Sequence, residues 1–322
     1  MPQAAASSQL AVIDEYYYLF GGKEFATIYS APIGDPTVWT NVGSLPTPIY
    51  SSQLSIIDGV IYLFGGNADG YTSKHIWSAS TSSPTVWTDN GALLPSIIQD
   101  HQIFLTPSYV FLLGGRDEID LSSGFSTVKN TIYYAPLSNP LSWSILPATL
   151  PQPICCSQVA CIGSNVYLFG GVSSNGAQTA NIVSANIYNL SYWNVVNQLP
   201  YPIASGSFFT YGDGYGYIVS PGEVPYYPNA VGTRILKCLL SFPTQWADTG
   251  MTVPGNVSES SVLFSIENNI ANVYLLGGNG NSAIYKTDFG YNVKTTSDNV
   301  SNNILNWQNN IGFPLWKIFG NY

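Results

Sequence analysis

The chain has 322 residues, 45% of them hydrophobic and 14% aromatic, a composition that can bury a large core and excludes intrinsic disorder. Only 8% are charged, against roughly 25% in an average soluble domain, so Ser, Thr, Asn, Gln and Tyr must solvate most of the surface, as is commoner outside cells. Eighteen acidic and nine basic residues leave a net charge of −9 with no basic cluster, which argues against nucleic-acid binding through phosphate contacts, and no apolar run approaches the ~18 residues needed to span a bilayer.

Read in chain order, the sequence repeats. A leucine or similar residue and a proline open each unit. A short apolar run follows, then a run ending in twin glycines, and the step from that proline to the first glycine is 19 residues for Pro2 to Gly21, Pro46 to Gly65, Pro95 to Gly114 and Pro151 to Gly170. A fifth copy starts at Pro200 and has lost its glycines, and a sixth runs from Pro254 to Gly277 and Gly278. The second half of each unit sets a small residue eight positions before a tryptophan: Ala31 and Trp39, Ala79 and Trp87, Ala135 and Trp143, Ala185 and Trp193, Cys238 and Trp246. In the sixth unit Thr287 and Trp307 are 20 apart, an insertion of 12. Unit boundaries are expected at 1–45, 46–94, 95–150, 151–199, 200–253 and 254–314, with a tail at 315–322.

Each unit reads as four short strands rich in Ile, Val, Tyr, Phe and Trp and bounded by Gly, Pro, Asn and Asp, as antiparallel hairpins require. One such sheet cannot bury both of its faces. Radial packing of six covers each face with a neighbour and leaves short, protected edges. The expected fold is therefore an all-β, six-bladed β-propeller of four-stranded blades forming a single domain over 1–322.

The run Tyr62-Leu-Phe-Gly-Gly66, the downstream Trp87 and the preceding Pro48 resemble the kelch repeat, over essentially the whole chain. The resemblance implies a propeller. It says less about function, since kelch-type propellers include interaction adaptors, virion and adhesion modules, and copper radical oxidases of the galactose oxidase kind.

The oxidase chemistry needs two histidine ligands, two tyrosines and a cysteine. His75 and His101 are the only histidines, and they fall on different strands of different units. Sialidase chemistry clamps a carboxylate with three arginines, and the chain has only Arg116 and Arg234. A glycosidase would need two carboxylates about 5 to 9.5 Å apart. Asp117, Glu118, Asp120, Glu223 and Glu259 are the candidates near one face, and they form no motif. No catalytic residue, metal or cofactor is expected. Cys155, Cys156, Cys161 and Cys238 lack zinc or disulfide spacing and read as free thiols filling small core positions, the first three on one strand. Gln9, Gln53, Gln102 and Gln158, with Ser207 and Ser261 in the last two units, share one repeat position on the innermost strand, where they satisfy backbone groups or ring the channel.

Binding is expected in the loops joining second and third strands, which lengthen to 116–130 in unit three, 172–181 in unit four and 222–233 in unit five. There Tyr226 and Tyr227, between prolines, form an aromatic platform, with Arg116, Asp117 and Asp120 as polar partners. The expected function is a non-catalytic attachment or structural subunit on an extracellular or virion surface. Its partner would be a host-surface glycan or protein, or other structural subunits, and an oligomer is compatible with this. The alternative is a secreted kelch-type carbohydrate-active enzyme. The opening Met1-Pro-Gln-Ala-Ala-Ala lacks the basic and apolar regions of a secretory signal, so export is expected by processing or by particle release.

Overall fold

The computed structural model describes residues 6–120, 125–210, 213–220, 233–253, 259–267, 270–276, 278 and 284–292. Among them every regular element is a strand, and no helix is long and apolar enough to cross a membrane. Five four-stranded antiparallel sheets follow one another along the chain, and a three-stranded sheet comes last. The first sheet sets the pattern, with strands Gln9–Ile13, Tyr16–Phe20, Thr27–Pro32 and Thr40–Ser44 in spatial order, so that consecutive strands always pair. The last is Ser261–Glu267, Ile270–Leu276 and Ile284–Asn292, whose final strand continues past Asp288, where the sequence placed the start of an insertion. The fourth unit's outer strand, Asn189–Ile203, likewise runs beyond the boundary expected at 199.

The sheets cover one another's faces. Ile61 and Trp77 of the second unit share a cluster with Phe20 and Ile28 of the first, and similar clusters join units two to three, three to four and four to five. The remaining cluster brings Tyr17 and Trp39 of the first unit together with Tyr217 of the fifth and Leu276 of the last. The two ends of the repeat array therefore meet in one core.

Two repeat features explain this packing. At the end of each second strand the chain must turn while the segment entering the next unit crosses it. Gly65 sits at φ +59°, and a Cβ there would lie 2.6 Å from the carbonyl oxygen of Ile98 in that crossing segment. The same oxygen accepts the Gly66 N–H at 2.8 Å, and Gly22, Gly115 and Gly171 donate equivalently to Ile49, Ile154 and Ile203. The twin glycine is thus a seam between units, where a side chain would displace the backbone it is bonded to.

The second feature is the tryptophan. Trp39, Trp87, Trp143 and Trp246 each donate Nε1–H to the carbonyl of the proline three residues earlier, at 2.8 to 3.0 Å, which fixes the turn between third and outer strands. Their rings meet the phenylalanine preceding the twin glycine of the unit before: Phe20 with Trp87, Phe64 with Trp143 and Phe169 with Trp246 are edge-to-face pairs 5.0 to 5.2 Å apart. Leu113 and Leu276 replace that phenylalanine in units three and six, and they share cores with Trp193 and Trp39. Trp193 also lacks the proline. Its turn is a tight hairpin pairing Asn186 with Asn189, and its Nε1 has no hydrogen-bond partner among the described residues.

Around the axis the backbone closes a circle. Ser51 N–H donates to Ser7 O, Asp100 to Ser51, Cys156 to Asp100, Ser205 to Cys156, Glu259 to Ser205, and Ser7 to Glu259, over distances of 2.9 to 3.2 Å. All six residues have φ between 49° and 61°, a left-handed conformation that costs a side-chain-bearing residue roughly 1 to 2 kcal/mol. Each is held there because its own N–H and C=O are both committed to neighbouring units.

Two predictions follow from the seams. Gly65→Ala should lower stability by about 3 kcal/mol or more, since overpacking adds to the cost of the left-handed φ, whereas Gly163→Ala, at φ +61° with nothing within 4 Å of its Cβ, should cost only about 1 to 2 kcal/mol. Equilibrium urea unfolding of both variants checks the difference. His101 lies at the seam of units two and three, fully buried, beside Gly65 and Gly115, and neither ring nitrogen has a partner among the described residues. Burial, with Lys129 adding, pushes its pKa down from 6.5 to about 3. The unfolded chain therefore takes up this proton first, so the stability His101 contributes is complete above about pH 6.5 and lost as pH falls towards 3, amounting to roughly 2 to 3 kcal/mol by about pH 4.5. In His101→Ser that part of the acid dependence should vanish from the stability–pH profile.

Candidate functional site

The circle of hydrogen bonds is the rim of a cavity of about 250 Å³ on the axis. Ser7, Ser51, Asp100, Cys156, Ser205 and Glu259 form its outermost tier. Two positions further along each inner strand come Gln9, Gln53, Gln102, Gln158, Ser207 and Ser261, and one position deeper a layer of Leu10, Leu54, Ile103, Val159, Phe208 and Val262 makes the lining apolar. The glutamines thus both ring the channel and satisfy backbone. Gln9 Oε1 accepts from Leu54 N at 3.1 Å across a seam, while the amides of Gln102 and Gln158 donate to the carbonyls of His101 and Ser157. Ser207 Oγ donates to Ser260 O, again across a seam.

Two carboxylates interrupt this neutral rim. Glu259 accepts from Ser7 Oγ at 2.7 Å. Asp100 pairs with Arg116 Nε at 2.6 Å, with Arg116 one-third exposed and Asp100 more buried. Burial opposes the guanidinium charge, but the ion pair and hydrogen bond with Asp100 more than offset it, so the Arg116 pKa is raised and the side chain stays cationic. Cys156 follows Cys155, their sulfurs 3.5 Å apart. That contact together with burial raises the Cys156 pKa, so it is a thiol and not a nucleophilic thiolate at neutral pH.

The sequence-predicted residues fall as follows. Arg116 reaches the rim, because it opens the hairpin Arg116–Asp120 and Phe125–Val128, and its backbone pairs with Gln99 just before Asp100. The expected long loop of unit three is therefore a two-stranded ribbon. Asp117 Oδ1 accepts from Thr127 N at 2.6 Å across the ribbon, which braces the hairpin. Asp120 pairs with Phe125 in the ribbon, and its side chain lies outside the described residues, as does that of Glu118. Tyr226, Tyr227 and Glu223 lie in 221–232, which is also outside them. Cys155 and Cys156 precede the inner strand Gln158–Ile162 instead of lying on it, since the left-handed turn at Cys156 intervenes. All four cysteines are free. Cys155 and Cys238 are buried, while Cys156 lines the cavity.

Sequence reasoning missed Asp100 and the rest of the rim. The signal was present as a repeat position two residues before each inner-strand glutamine or serine, filled by Ser, Asp, Cys and Glu. Its meaning depends on a hydrogen bond to the neighbouring unit. Among the described residues no three His, Cys, Asp or Glu side chains could share a metal ion. As built, the site offers neutral donors and acceptors, one paired cation and an apolar wall, which suits holding a small polar group.

No protein-family model and no curated protein matches the chain. Among solved structures it is similar to YjhT, with 15% identity and a TM-score of 0.68 over 93% of this chain and 97% of that one. At that identity the likeness speaks for the fold alone, and the fold shared is an all-β, propeller-like one.

Proposed function

We propose that the chain is a six-bladed kelch-type propeller acting as a non-catalytic binding or assembly module on an extracellular or virion surface. It recognises a host-surface glycan or protein, or another structural subunit, with the face on which the axial cavity opens. The observation that carries this is Arg116, which joins the cavity rim through Asp100 and the protruding ribbon through its own strand. Six blades are supported by the closed circle of hydrogen bonds and by the core shared between Trp39 and Leu276. The sparse charge favours an exposed, protein-rich setting over electrostatic capture, and the rim's hydroxyls and amides suit a neutral polar partner.

Tyr226 and Tyr227 belong to the sequence between strands Tyr215–Ser220 and Thr233–Leu239, and on this reading they serve the same recognition face. Aromatics between prolines lose little freedom on binding, so they offer apolar area at low entropic cost. Replacing both tyrosines by alanine should weaken binding to cells, glycans or the partner subunit by about tenfold or more and leave the melting temperature nearly unchanged. Undiminished binding in that variant and in one with 117–128 cut to a tight turn would place recognition elsewhere. The blade count has its own test. Removing 254–322 strips the partner of Trp39 and breaks the circle at Glu259, so the remainder should lose cooperative thermal unfolding, and a cooperative transition at the parent temperature would argue against ring closure.

A further inference from the structure

Beside the blade of unit two lies a small sheet of Ile49–Tyr50, Asn67–Ala68 and Tyr71–Thr72. It walls a cavity of about 580 Å³ that shares no lining residue with the axial one. Five side chains give this cavity its chemistry. Tyr71 is 71% exposed, so its ring is held out at the wall instead of joining the core. His75 directs Nδ1 at both oxygens of Asp89, 2.9 and 3.0 Å away. A carboxylate only accepts, so Nδ1 carries the proton, and in the neutral ring Nε2 is left as an acceptor.

The imidazole cannot turn easily. Its face stacks on the buried Trp77, with centroids 5.7 Å apart and planes at 26°. Asp89 is anchored by the Gly91 N–H at 2.8 Å, and the backbone of His75 is anchored by Ser73 Oγ at 3.0 Å. Lys74 also lines the cavity and brings a side-chain amine to it. A histidine ring fixed by stacking and by Asp89, a cavity-lining lysine and an exposed aromatic face match one ligand class. A pyranose presents neighbouring hydroxyls on its edge and a C–H face for the ring.

We infer that this cavity is a second binding site, for a neutral pyranose residue, with Tyr71 as the stacking platform and His75 and Lys74 as hydroxyl contacts. It rests on the glycan part of the proposed function but is independent of Arg116 and the axial rim. The chain's two histidines make it testable in the intact protein, because His75 lies in this cavity and His101 is buried at a seam. Protein labelled with ¹³C and ¹⁵N at histidine is titrated with methyl β-glucoside, methyl β-galactoside and methyl N-acetyl-β-glucosaminide, and the imidazole signals are followed. At least one sugar should shift His75 saturably and leave His101 in place. Tyr71→Ala, at an exposed position that keeps the melting temperature, should weaken that titration about tenfold. Lys74→Met should weaken it severalfold, and Arg116→Ala should leave it unchanged. The assignment fails if none of the three sugars moves His75, or if Tyr71→Ala titrates like the parent. Sugar binding that survives Tyr71→Ala but is lost in Arg116→Ala would sink this site and leave the axial-face reading standing.

Discussion

The carbonyl oxygen of a single residue in each inter-unit link holds the molecule together. Ile49, Ile98, Ile154 and Ile203 each accept a hydrogen bond from the second glycine of the preceding unit's pair, and the first glycine is bare so that this oxygen can approach. Without that approach the link would swing outward, and the next inner strand would not begin beside its neighbour. The edge-to-face pairs of Phe20 with Trp87 and Phe64 with Trp143 depend on the same spacing, because the phenylalanine immediately precedes the pair of glycines. Backbone contact and aromatic packing are thus two readings of one distance between units.

From the link the constraint passes to the axis. Two residues after Ile203 and Ile98 the chain reaches the circle, where Ser205 and Asp100 take a left-handed φ to turn into the inner strand. Six such residues, each satisfied only by its neighbours, place six side chains around one opening. What they carry there is decided by the rigidity of the turn and not by the turn's chemistry. Ser, Asp, Cys and Glu all occupy it, so the side chain there is free to vary while the backbone closes the circle. Asp100 is the case in point: its backbone closes the circle, while its carboxylate holds Arg116 and through it the ribbon of unit three.

Stability and recognition also separate radially. The fully buried layer is made of strands and seams, with Tyr17, Phe64 and Phe169 among its largest side chains. Polar additions lie outside it, at the rim, on the ribbon and in the small sheet of unit two. His101 departs from this division. It occupies the place held by Ser8, Ser52 and Ser157 in other units, buried without a partner among the described residues, and its cost grows as acid protonates it. Its neutral form fits a seam that a protonated one would open.

A sheet-forming repeat was legible from the spacing of Pro46 and Gly65 and of Ala79 and Trp87, because hairpin geometry fixes how many residues separate a turn from the next close approach. Free cysteines and the reach of Arg116 towards one face were legible in the same way, as local consequences of strand order. Other properties arise between units, from residues about fifty positions apart. Gln9 bonding to Leu54 and the circle from Ser7 to Glu259 belong to this second kind, while the pairing of Asp100 with Arg116 and most of the Tyr71 cavity join loops and strands of one unit. Asp117 illustrates the boundary. Its charge was legible in the sequence, whereas the ribbon it sits on and the hydrogen bond it accepts from Thr127 N were not. By itself the sequence determined the all-β repeat, its strand order and its seams, since these follow from backbone sterics within one unit. Only the tertiary structure decided which polar side chains share a rim or a cavity, because that depends on how neighbouring units meet.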